Sequence, residues 1–119
     1  MLFRSGGWTL EGAPDCYSVP RADSHYWFVA AGERAGDMFA KVCAVDLRAS
    51  KFETGRIAQT SVARNSAIVA RRDLGSVAAF DVLGDWASAM YMWDCLIDAM
   101  AEFDGRVVGL AALRAVAAA

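Results

Sequence analysis

Residues 86–103 constrain this chain more than any other stretch, because they carry more large apolar surface than a small domain can hide. Trp86, Met90, Trp93, Ile97, Met100 and Ala101 recur at the three-and-four spacing that puts side chains on one face of an α-helix. That stripe predicts the core-facing side. Tyr91, Met92, Cys95, Leu96 and Phe103 fall on flanking faces, which leaves Asp94, Asp98 and Glu102 as a narrow wetted stripe. The pattern predicts a helix buried on more than one side. A small domain covers one such side with its own sheet, so a second chain is expected to cover the other, and the chain reads as a subunit.

Length bounds this reading. The 119 residues suffice for one domain with one hydrophobic core and are too few for two. We expect a single domain over 1–119, with an irregular N-terminal segment at 1–23 and an Ala-rich tail at 107–119. The hydrophobic share of 56% and mean hydropathy of +0.27 are high for a free monomer and favour an interface, although Ala inflates both. A net charge of -2 and a pI near 5.2 argue against nucleic acid, whose phosphates call for clustered Lys and Arg. The one local cluster, Arg71-Arg72, reads as an exposed strand end.

Cys16, Cys43 and Cys95 are odd in number and widely spaced, which fits neither a disulfide framework nor a zinc site and suggests buried thiols in a reducing compartment. No apolar run reaches the roughly 20 residues that span a bilayer, and Arg4, Gly6 and Gly7 interrupt the start of the chain. The expected location is the cytoplasm, with no membrane partner.

Along the chain, Gly6, Gly7, Gly12, Pro14 and Pro20 punctuate an irregular start that has room for one strand at Trp8-Thr9-Leu10. The aromatic and β-branched run Tyr26 to Ala31 predicts a strand ended by Gly32. Ala35, Met38, Phe39, Val42 and Cys43 predict a short amphipathic helix between Glu33 and Cys43. Arg56 to Arg64 and Ala67 to Arg72 predict a hairpin turning at Asn65-Ser66, with a further strand at Val77 to Leu83. Asp85 is placed to cap the long helix, and Gly105 to close it in a left-handed conformation. Val107 to Val116 fits either a last helix or an edge strand, and Ala117 to Ala119 are expected to fray. The order predicts an α+β fold, an antiparallel-rich sheet with two helices on one face, of ferredoxin-like character.

Catalytic patterns are sparse. His25 is the one histidine, and the sequence does not place it beside a cysteine, so it reads as a strand-edge residue bonded locally or to solvent. Asp94, Asp98 and Glu102 align at four-residue steps without a histidine at ligand spacing, which favours a solvated face over a metal site. Gly32 and Gly36 come nearest to a phosphate loop, with the wrong spacing, so a turn and a close helix contact are the expected roles. No catalytic, cofactor-binding or metal residue is assigned.

Two blocks are more specific than composition. Cys43-Ala44-Val45-Asp46-Leu47, followed by Phe52-Glu53-Thr54-Gly55-Arg56-Ile57-Ala58-Gln59-Thr60, resembles the C-x-x-D-L and F-x-x-G-x-x-A-Q-T pattern of sarcosine oxidase gamma subunits. Tyr91 to Ala99, with Glu102-Phe103 after it, resembles the Y-x-W-D-x-L-x-D-A-x-x-E-F helix of that family. The likeness runs from about Trp27 to Asp104 and covers the family's later half, since nothing before Asp15 matches its earlier L-G-P-D-E-W-like strand.

The resemblance implies a fold like that of the glycine cleavage T protein. It also implies a non-catalytic subunit of a heterotetrameric flavoenzyme that oxidatively demethylates sarcosine or a related N-methylated amine. It places FAD, FMN, NAD, zinc and the folate site in alpha, beta and delta partner chains, with no cofactor in this one. Physically, Asp46 is expected to brace the turn after the first helix, Gly55 to permit a tight turn, and Gln59 and Thr60 to satisfy backbone groups at a strand edge. The candidate partner contacts are Tyr91, Met92 and Trp93, because aromatic and Met side chains offer large contact area at low entropic cost. A core role for Trp93 competes with that assignment. Two other readings stay open: a folate-binding aminomethyltransferase-like domain, and a homodimer that binds a small ligand.

Overall fold

The structure is a computed structural model and describes residues 14–119, so the strand expected at Trp8-Thr9-Leu10 lies outside the described residues. Among these, β1 (His25–Ala31), β2 (Ile57–Val62), β3 (Asn65–Arg71) and β4 (Ala79–Asp85) form one antiparallel sheet in the order β1-β4-β3-β2. Helix α1 (Ala35–Phe39) follows β1, α2 (Ala89–Met100) follows β4, and α3 (Leu110–Ala118) ends the chain. The architecture is α+β.

Strand alternation decides the core. Tyr26, Phe28 and Ala30 of β1 share one face with Phe80 and Val82 of β4, Ala67 and Val69 of β3, and Val62 of β2. Met38 and Phe39 of α1 and Met92, Leu96 and Ala99 of α2 close over that face, and Phe39 meets Phe80 edge-on with ring centroids 5.4 Å apart. Each large side chain removed from water here contributes about 1.5–3 kcal/mol. Leu47 and Phe52, from the loop before β2, complete the cluster.

Helix α3 lies at the opposite side. Leu110, Leu113 and Val116 are its half-buried stripe, and the first two line a small cavity with Val29, Arg72 and Leu74. Its last turn stands so close to the β3–β4 connection that a Cβ on Gly75 would lie 3.2 Å from the Val116 carbonyl oxygen. The tail alternatives thus resolve to a helix, which includes Ala117 and Ala118.

Several expected boundaries move. The hairpin turns at Ala63-Arg64, both with positive φ, and Asn65-Ser66 open β3 instead. The ladder sets this, because pairing Val62 with Asn65 leaves a two-residue loop whose twist demands the left-handed region at both positions. The fourth strand runs to Asp85, two residues beyond the expected Leu83, since Gly84 and Asp85 still pair with Tyr26 and His25. Helix α1 is one turn shorter at its end than its apolar spacing suggests.

Helix α2 is rotated from the expected orientation. Met92, Leu96 and Ala99 face the sheet, whereas Trp86 is 67% exposed and Met90 73% exposed. Trp86–Ser88 form a 3-10 turn, so Trp86 is out of phase with the helix that follows. With two apolar stripes roughly 100° apart, periodicity alone does not select the inner one.

The ends of α2 carry the expected devices with one exchange. Asp85 accepts a hydrogen bond from the Ala87 amide at 2.8 Å. At the far end Asp104, not Gly105, takes the left-handed conformation, and the Gly105 amide reaches the Met100 carbonyl at 3.1 Å. Gly105 is needed for space, since a Cβ there would lie 2.6 Å from the Met100 Cβ.

Candidate partner interface

The Asp85 cap starts the turn that swings Trp86 outward, and the first turn of α2 then presents Met90 and Tyr91 on the same exposed side. Tyr91 is half exposed, and its hydroxyl donates to the Ala63 carbonyl at 2.9 Å, tying α2 to the strained hairpin turn. Trp93 lies at the margin, packed on Phe28 with ring centroids 5.4 Å apart. Met92 is fully buried in the core beneath α2 and is no surface contact. The assignment of Met92 to the interface is corrected accordingly, while Tyr91 and Trp93 are reachable from solvent. Trp86 and Met90 join them, residues whose helical spacing had pointed inward.

Beside this face a groove of about 1050 Å³ runs along β1, between α2 and the segment 105–113. Phe28 and Trp93 form part of one wall, with Val107 and Leu113 on the other. Tyr26 stacks on Phe28 at 4.8 Å and lies across Gly84, where any Cβ would collide with its ring. Its hydroxyl has no hydrogen-bond partner among the described residues, and burial pushes the phenol above its ordinary pKa.

Polar side chains brace the scaffold. On the far face of the sheet, the buried Asp81 carboxylate accepts from the Trp27 indole at 2.8 Å and from the Arg72 guanidinium at 3.0 and 3.1 Å. Arg71 donates to Asp73 at 2.9 Å and to the Phe52 carbonyl at 2.6 Å, and its side chain is only 11% exposed. The Arg71-Arg72 pair is therefore engaged within the fold and is not a bare strand end. Asp46 accepts from the Arg48 side chain at 2.6 and 2.9 Å and from its amide at 3.1 Å, which holds its carboxyl down to about 2. This is the brace expected after the first helix. Gly55, with φ of 86°, takes the expected turn.

Asp94, Asp98 and Glu102 are exposed, and Glu102 pairs with Lys41 at 3.3 Å while Lys41 and Arg34 lie over the Phe103 ring. His25 Nδ1 lies 2.8 Å from the Ser24 hydroxyl. Cys16 is exposed, contrary to expectation, and Cys43 and Cys95 are half-buried; all are free thiols. Among the described residues no three His, Cys, Asp or Glu side chains gather to hold a metal, and no helix is long and apolar enough to cross a membrane.

Among the described residues, the exposed aromatic and Met side chains of α2 and the groove beside them are what the geometry offers a partner or ligand. A search of solved structures finds this architecture in a chain of the heterotetrameric sarcosine oxidase from Corynebacterium sp. U-96, determined in complex with pyrrole 2-carboxylate. The two share a fold. Similarity extends over 75% of this chain at 24% identity with a TM-score of 0.65, and it spans 44% of the oxidase chain. No protein-family profile matches the sequence, and no curated protein matches it.

The Trp27–Asp81–Arg72 network was missed in the sequence, although an Asp inside the apolar run Ala79-Phe80-Asp81-Val82-Leu83 is a signal for a buried partner.

Proposed function

We propose that this chain is a gamma-type, non-catalytic subunit of a heterotetrameric sarcosine oxidase-like flavoenzyme that demethylates sarcosine or a related N-methylated amine. The observation that carries the reading is the shared fold with a chain of such an oxidase. The order of the Asp46 brace, the Gly55 turn and the Tyr91–Ala99 helix along this chain agrees with the motif likeness. FAD, FMN, NAD and zinc belong to the alpha, beta and delta-type partners in this account. Trp86, Met90, Tyr91 and Trp93 form the docking face, since aromatic and Met side chains concentrate binding energy in small areas.

The size of the groove favours a second reading, a folate-binding or other small-ligand module. Co-expression with the genes beside it, capture of this chain and an absorbance scan of the eluate separate the two. Recovery of large flavin-carrying chains supports the subunit. A colourless chain that binds tetrahydrofolate at micromolar concentration refutes it in favour of the second.

A further inference from the structure

Residues 85–104 hold Asp85, Asp94, Asp98, Glu102 and Asp104 but no Lys, Arg or His. Met90, Asp94, Asp98 and Glu102 follow one another at four-residue steps and all are exposed, so the apolar patch at the start of α2 runs into a row of carboxylates towards its end. Asp85 caps the helix and Glu102 pairs with Lys41 at 3.3 Å, whereas Asp94 and Asp98 take part in no ion pair among the described residues. No basic residue stands in the last turn of α2, where the helix dipole gathers partial negative charge and favours a cation. Of the cations on neighbouring elements, Arg34 is held by Asp37 at 2.7 Å, Arg106 lines the groove, and Arg64 sits in the hairpin turn beside Ala63.

We propose that the outer side of α2 docks a different protein chain, whose contact surface combines an apolar hollow for Trp86 and Met90 with Arg or Lys side chains that pair with Asp94 and Asp98. Charge decides against a second copy of this chain. A two-fold dimer on this face sets α2 against α2, which gathers the Asp94 and Asp98 carboxylates of both copies around the axis, and like charges brought together at an interface are costly. The same charge turns away nucleic acid and anionic lipid. The apolar end of the patch suits any greasy surface, and the acidic row beside it is what makes the partner basic. Charge pairs of this kind speed encounter and fix register. The inference rests on the subunit reading and adds to it the chemistry of the partner's face.

The complex recovered by co-expression with the neighbouring flavoprotein genes tests it, with dissociation read as flavin released from the captured chain while salt is raised. Affinity is expected to fall at least tenfold between about 50 and about 500 mM NaCl, as the charges at the interface are screened. Asp94→Asn with Asp98→Asn is expected to weaken binding at least tenfold at the lower salt and to flatten the salt dependence. Asp94→Glu with Asp98→Glu keeps both charges and is expected to retain the affinity of the unaltered chain. All these side chains are exposed, so the thermal transition should not move, and the salt series on the unaltered chain stands without any variant. Salt-independent binding overturns the proposal, as does binding that the Asn variant leaves intact or that both variants weaken equally; each of these results leaves the subunit reading standing. Recovery of no flavoprotein with the unaltered chain overturns both. Self-association of this chain that the Asn variant strengthens assigns the face to a second copy and overturns the proposal as well.

Discussion

Asp81 sits among apolar neighbours in β4 with its carboxylate drawn to the Trp27 indole and the Arg72 guanidinium. Asp81→Ala removes the acceptor shared by the Trp27 indole and the half-exposed Arg72 guanidinium, so the expected loss is about 1–2 kcal/mol, read as a lower urea midpoint. Asp73 carries a pH dependence. Hydrogen bonding from Arg71 holds its carboxyl below the ordinary range, so the unfolded chain binds the proton first as pH falls. The stabilisation is complete above the unfolded value of about 3.9 and disappears as pH drops through the lower folded value. Urea titrations from about pH 5 to pH 2 should show a shallower fall in stability for Asp73→Asn than for the unaltered chain.

At the scale of elements, the β2–β3 hairpin stores strain. Ala63 at φ 48° and Arg64 at φ 68° occupy a region that costs an L-residue about 1 kcal/mol or more, and Tyr91 braces the turn through the Ala63 carbonyl. Ala63→Gly relieves this strain while giving the unfolded chain freedom worth roughly 0.4–1 kcal/mol, so the urea midpoint should hardly move; a loss of that full size would show that the turn is unstrained. The turn was misplaced in the sequence because Asn65-Ser66 has the better turn chemistry, whereas cross-strand register overrules local preference. Strand β1 was legible to within one residue, since its Tyr-Trp-Phe-Val run has no competing helical period. Helix α2 was legible in position but not in rotation. Met92 and Trp93 are neighbours in sequence, and only the sheet beneath them decides which one is enclosed. The groove was not legible at all, because it is made by elements far apart in the chain.

Among the described residues, the sheet has one face closed by α1 and α2 and the other partly covered by α3, and Trp86, Met90, Tyr91 and Trp93 stand exposed on the outer side of α2 and the turn before it. On the proposed reading, this aromatic and Met patch is the surface that a partner chain covers. The motifs resemble the gamma-subunit pattern and the fold is shared with an oxidase chain, while the exposed positions of Trp86 and Met90 needed coordinates. Trp86→Asp with Met90→Asp changes only exposed side chains, so the variant should keep the thermal transition of the unaltered chain. The most direct test is affinity capture of this chain co-expressed with its neighbouring flavoprotein genes, with bound flavin read by absorbance, for the unaltered chain and this variant. Flavin-carrying chains are expected with the first and at least a tenfold loss with the second. Equal recovery from both, or no flavin with either, would contradict this expectation.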